Sequence, residues 1–156
     1  MSSNYCADQS SRPAGVIVFE RKPVWAALFR RNLPDQPVVE MRIWDNLLNE
    51  ITARPGSVLC IAAENAKIER VTVQIRQLRS SFSGSPIIVA GPRDSEEFRW
   101  ISLECGAHAV VRSPRDVQLL ASTIKGHLAN VVPPEQTFQQ RIRARLPWKK
   151  HSSKFK

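Results

Sequence analysis

Glu20, Arg21, Lys22, Arg93, Arg112, Ser113 and Arg115 are the side chains in this sequence expected to share one rim, and the cations among them are suited to holding an anion. Gathered in one place, four or five of these cations would bind a nucleotide or a phosphorylated partner. Spread over a solvated rim, and partly paired with Glu20, Glu64 and Asp94, they would do nothing specific. Other chemistry finds little support. There is no G-x-G-x-x-G after an apolar run, no G-x-x-x-x-G-K-[ST] and no G-x-S-x-G, so the common dinucleotide, triphosphate and hydrolase signatures are missing. His108, His127 and His151 are scattered, and none pairs with Cys, Asp or Glu at metal-ligand spacing. His108 falls in an apolar run and reads as a core or edge histidine. Cys60 and Cys105 read as small buried hydrophobes rather than reactive thiols. Asp94, Glu96 and Glu97 open a helix, where the dipole alone accounts for them. No catalytic residue, metal or cofactor is expected.

A second basic group closes the chain. Residues 133–156 hold seven of the 23 Lys and Arg and one of the 14 Asp and Glu, a charge of +6 out of +9. Phe138, Ile142 and Leu146 recur every four residues among Arg141, Arg143 and Arg145, with Trp148, Lys149 and Lys150 beyond Pro147. Such a segment would form a short basic amphipathic helix. It would dock in a partner's groove, lie on an anionic membrane surface or neutralise nucleic-acid phosphates. A disordered basic extension is the remaining reading, because a helix this short is marginal alone.

The elements that must position these groups alternate regularly. Residues 1–14 form a polar lead-in. Gly15–Glu20, Pro37–Met41, Ser57–Ala63, Pro86–Ala90 and Ala107–Val111 are short apolar runs, several unbroken, as strands covered on both faces require. Between them lie helical spacings: Trp25, Leu28, Phe29 and Leu33 behind Pro23; Leu47, Leu48 and Ile51 behind a capping Asp45; Ile68, Val71, Ile75, Leu78 and Phe82; Phe98, Ile101 and Cys105 ahead of Gly106; Val117, Leu120, Ile124 and Leu128 behind Pro114. Five strands alternating with five helices predict a three-layer α/β sandwich over residues 15–130, with residues 131–156 as a basic tail.

Residues 15–130 resemble a response-regulator receiver domain, a flavodoxin-like fold whose five-stranded parallel sheet runs 2-1-3-4-5. The resemblance rests on residues 16–23, with an apolar strand, an acidic position and a proline. It extends through Pro55–Ile61 and Pro86–Gly91 to Gly106–Pro114, which parallels the family's G-A-x-x-x-x-x-K-P stretch. It also implies what is missing. A receiver holds Mg²⁺ with two or three carboxylates, whereas here Glu20 stands beside Arg21 and Lys22. The phosphoacceptor position falls on Ile61 or Ala62, the switching hydroxyl on Gly91 and the phosphate-binding lysine on Ser113. The implied protein is a degenerate receiver, not phosphorylated on aspartate.

Composition agrees with a globular chain: 42% hydrophobic and 24% charged residues exclude a disordered or fibrous chain. No apolar run is long enough to span a membrane, no secretion signal is expected, and three widely spaced cysteines suggest reduced thiols in the cytoplasm. The expected function is a non-enzymatic protein–protein interaction module in signalling or regulation. The alternative is binding to nucleic acid or an anionic surface through the tail. Arg93, Arg112, Arg115, Arg141, Arg143, Arg145, Trp148, Lys149 and Lys150 are the expected anion or partner contacts. On the face formed by the fourth helix, fifth strand and fifth helix, the resemblance adds Trp100, Asp116 and Gln118. Trp100 is expected to pack against a neighbouring helix; facing solvent, it would anchor a contact.

Overall fold

A computed structural model describes residues 12–63 and 67–132. Five strands form one parallel sheet: β1 Val16–Phe19, β2 Val38–Met41, β3 Val58–Ala62, β4 Ile87–Ala90 and β5 Ala109–Val111. They lie in the order β2-β1-β3-β4-β5. Five helices alternate with them: α1 Trp25–Asn32, α2 Trp44–Ala53, α3 Ile68–Ser81, α4 Glu96–Glu104 and α5 Pro114–Asn130. The fold is the expected three-layer α/β sandwich of flavodoxin-like topology.

The unbroken apolar runs are explained by two cores, one on each face of the sheet. Val16, Val18, Val58, Cys60, Ile88 and Ala90 point toward α1 and α5, where Phe29, Val117 and Ile124 meet them. Ile17, Leu59, Ile61, Ile87 and Val89 point the other way, onto Leu47, Ile51, Val71, Ile75, Leu78 and Phe98. Successive residues of a strand face opposite sides, so a strand covered twice must be apolar throughout. Gly106 follows α4 with φ +113°, a conformation open to glycine and costly for other residues.

Four local expectations are corrected. Pro23 lies in a turn, and α1 begins at Trp25, two residues later than predicted. Asp45 does not cap α2: Ile43 holds that position, and Asp45 falls inside the first turn, where it complements the dipole. β5 starts at Ala109 rather than Ala107, because the Ala107 N–H bonds the Ser102 carbonyl and closes α4. His108 therefore precedes β5 and belongs to neither core. At the other end, Arg12–Ala14 are tied to α2 rather than left in the lead-in. The Arg12 N–H donates to the Ala53 carbonyl at 2.7 Å, its guanidinium pairs with Glu50 at 3.1 Å, and Arg54 donates to the Pro13 carbonyl at 2.7 Å.

His108 joins β4 to the start of the edge strand β5. Its N–H donates to the Ile87 carbonyl at 2.7 Å, and its ring Nδ1 accepts the Ile87 N–H at 3.1 Å. Partial burial lowers its pKa, and the nearby Arg79 and His127 add to the effect. A histidine with a depressed native pKa binds its proton more readily when unfolded. Stability from this group is therefore complete above the unfolded value of 6.5 and is lost as pH falls from there toward the native pKa. Thermal melts of the wild type should show a midpoint falling across that interval. In His108→Asn, which keeps an acceptor but cannot titrate, the fall should be shallower; an unchanged slope would remove His108 as its source.

Candidate functional site

In open α/β sheets ligands bind beyond the carboxyl ends of the strands. Here that edge is built from Glu20–Lys22 after β1, Gly91–Arg93 after β4 and Arg112–Ser113 after β5. The loop after β3 contains residues 64–66, so Glu64 lies outside the described residues.

Glu20 is fully buried, and its carboxylate is turned onto the start of α1. One oxygen accepts the N–H groups of Val24 and Trp25 at 3.1 and 2.7 Å, and the other accepts that of Ala26 at 3.0 Å. The first N–H groups of a helix lack partners within it, and an anion there also complements the dipole. Glu20 thus caps α1 from the end of the preceding strand. The expected pairing of Glu20 with rim cations does not occur, since its acceptor capacity goes to the backbone. Arg21 and Lys22 are exposed beside it. Its charge is felt below: burial, and then Glu20, push the Cys60 thiol up, keeping it protonated.

At the phosphoacceptor position, Ile61 is buried in the core facing α2–α4, and Ala62 is half-buried on the opposite side. At the switching position, the Phe98 ring occupies the space a side chain would need. A Cβ built on Gly91 would meet the ring edge, with Cδ1 at 2.7 Å. Phe98 is held there by its N–H, which donates to the Ser95 hydroxyl at 3.1 Å as the N-cap of α4. At the lysine position, Ser113 caps α5. It forms a reciprocal box with Asp116, whose carboxylate also accepts the Arg112 N–H at 2.7 Å.

Mg²⁺ does not fit these residues. It needs several oxygen ligands in a near-octahedral array, but Glu20 is committed to three N–H groups and Ile61, Ala62 and Gly91 bring no side-chain oxygen. Among the described residues, no three His, Cys, Asp or Glu side chains come together to hold a metal.

The rim cations are only partly assembled. Arg112 pairs with Glu96 at 2.7 Å and reaches the Arg93 carbonyl at 3.4 Å, and Glu96 also approaches Arg99 at 3.7 Å. Arg93 and Arg112 are therefore neighbours. Arg21 and Lys22 follow β1, two places from β4 and three from β5, about 10 and 14 Å across the sheet. Arg115 lines a groove between α1 and α5. Trp100, expected against a neighbouring helix, is 59% exposed, because Phe98 and Ser102 already supply the buried face of α4. The Arg99 guanidinium lies 5.7 Å from its ring centroid. Gln118 is exposed, whereas Asp116 is spent on the cap. Arg141, Arg143, Arg145, Trp148, Lys149 and Lys150 lie outside the described residues.

Solved structures give this architecture a precedent. A CheY-like protein from Pseudomonas aeruginosa superposes with a TM-score of 0.63 at 14% identity, covering 73% of this chain and 98% of its own. The fold is that of a response-regulator receiver. An orphan response regulator of H. pylori shares the receiver fold with a TM-score of 0.58 and 16% identity, over 74% of this chain and 99% of that one. An atypical orphan response regulator, whose structure revealed a phosphorylation-independent regulatory mechanism, superposes with a TM-score of 0.60 at 14% identity, over 74% and 96%. No family model matches the chain, and no curated protein matches it significantly.

The receiver fold explains why these positions converge on one edge, but two of their occupants escaped sequence reasoning. The Glu20 cap acts from four to six residues upstream of its partners, outside the usual Ser/Thr/Asp pattern beside a helix. The Phe98–Gly91 contact left one signal, a glycine where the receiver pattern has a hydroxyl.

Proposed function

We propose that this chain is a non-enzymatic interaction module on a receiver fold, working in cytoplasmic signalling or regulation without aspartyl phosphorylation. The observation that carries this reading is the double occupation of the pocket: the Glu20 carboxylate is consumed by three backbone N–H groups, and the Phe98 ring covers Gly91. A receiver switches because a phosphoryl group recruits a metal, a lysine and a hydroxyl. Here those positions serve as a helix cap, a second helix cap and a packed aromatic edge. The phosphorylation-independent mechanism described for the atypical orphan regulator supports such a use of the fold. The free thiols of Cys60 and Cys105 suit a reducing compartment.

Incubation with acetyl phosphate and Mg²⁺ tests the reading. Intact mass should show no phosphoryl adduct, and Trp fluorescence should not change. An adduct at any carboxylate, Glu64 included, would overturn it.

A further inference from the structure

We propose that the groove between α1 and α5 is a docking site for an acidic segment of a partner protein. The inference rests on the interaction-module reading and assigns that module a face. The groove measures about 480 Å³ and is lined by Leu28, Arg31 and Asn32 of α1 and by Pro114, Arg115 and Gln118 of α5.

Its charge has no internal explanation. Arg31 lies in the last turn of α1, where a cation is favoured. Arg115 lies in the first turn of α5, where the dipole disfavours one. The acid that serves that terminus, Asp116, is turned toward the N–H groups of Arg112 and Ser113. Among the described residues neither Arg31 nor Arg115 forms an ion pair, and both are exposed. The Asn32 Nδ2 donates to the Leu28 carbonyl at 2.8 Å, whereas the exposed Gln118 carboxamide makes no side-chain hydrogen bond among the described residues.

Two guanidinium forks beside the apolar surface of Leu28 and Pro114 match carboxylates flanking an apolar side chain. Nucleic acid fits less well. Phosphate backbones are held by about six to ten cationic contacts in a stripe, and this groove offers two.

The test uses the full ¹⁵N-labelled chain and a blocked Glu-Leu-Leu-Glu peptide. Amide shifts should centre on Arg31, Asn32, Arg115 and Gln118. The double variant Arg31→Glu/Arg115→Glu should weaken binding by about tenfold or more, since two exposed ion pairs become repulsive. Lys149→Glu/Lys150→Glu should leave the groove shifts in place. Shifts confined to the tail, no shifts at all, or equal binding by the groove variant would overturn the proposal. So would a single-stranded oligonucleotide that produced the same groove shifts more strongly than the peptide. If the groove fails while acetyl phosphate still leaves no adduct, only this site is lost. An adduct removes the module reading instead.

Discussion

Replacing Glu20 with alanine should destabilise the protein by about 2–4 kcal/mol, with a clear fall in its urea midpoint. The carboxylate accepts three N–H groups, and those of Trp25 and Ala26 are buried. Truncation leaves these donors without partners in a place water cannot easily reach, and each orphaned group costs about 1–3 kcal/mol. Partial fraying of α1 limits the total. Fraying has its own cost, because Trp25, Ala26 and Phe29 are core residues. Glu20→Gln should sit between wild type and Glu20→Ala, since one oxygen remains while the new NH₂ faces a donor. A buried carboxylate without such partners would instead cost stability, so its removal would leave stability equal or higher. Equal stability of Glu20→Ala and wild type would therefore contradict the capping role.

Gly91→Thr, which restores the hydroxyl found in ordinary receivers, should destabilise by about 1–3 kcal/mol through overpacking. The new Cβ would collide with the Phe98 ring, and the ring has little freedom to leave: it is 5% exposed and anchored by the Ser95 cap. Phe98→Leu should be costly alone yet partly rescue Gly91→Thr, because the smaller side chain vacates the space. The two changes should couple by about 1 kcal/mol or more, as contacting residues do. Additive effects in urea melts would mean that the ring does not fill the switching position.

These two sites also show where sequence was a good guide and where it fell short. Strand order and layering were legible because burial on both faces leaves unbroken apolar runs such as Val58–Ile61, and helical faces leave the spacing of Val71, Ile75 and Leu78. The starts of α4 and α5 were legible from local sequence, and the capping bonds of Ser95 and Ser113 that fix them reach only three residues. Glu20 was visible as a lone acid beside two cations, yet its orientation is a tertiary fact. The chain bends through Pro23 and carries the start of α1 back over the carboxylate. Gly91 was visible as a lost hydroxyl, but the ring covering it comes from the next helix, and no periodicity links the two. Arg115 was assigned to the rim because it follows β5 closely, whereas its place on α5 turns it toward α1.

On the proposed reading, Glu20, Gly91 and Ser113 form a fixed joint rather than a phosphorylation pocket. Titration of the ¹⁵N-labelled chain with Mg²⁺ and beryllofluoride, a phosphoryl mimic, addresses it most directly. Amide signals at Glu20, Ala62, Gly91, Phe98 and Ser113 should stay unchanged. Saturable shifts centred on those residues, spreading to α4 and β5, would show a pocket that still binds and switches.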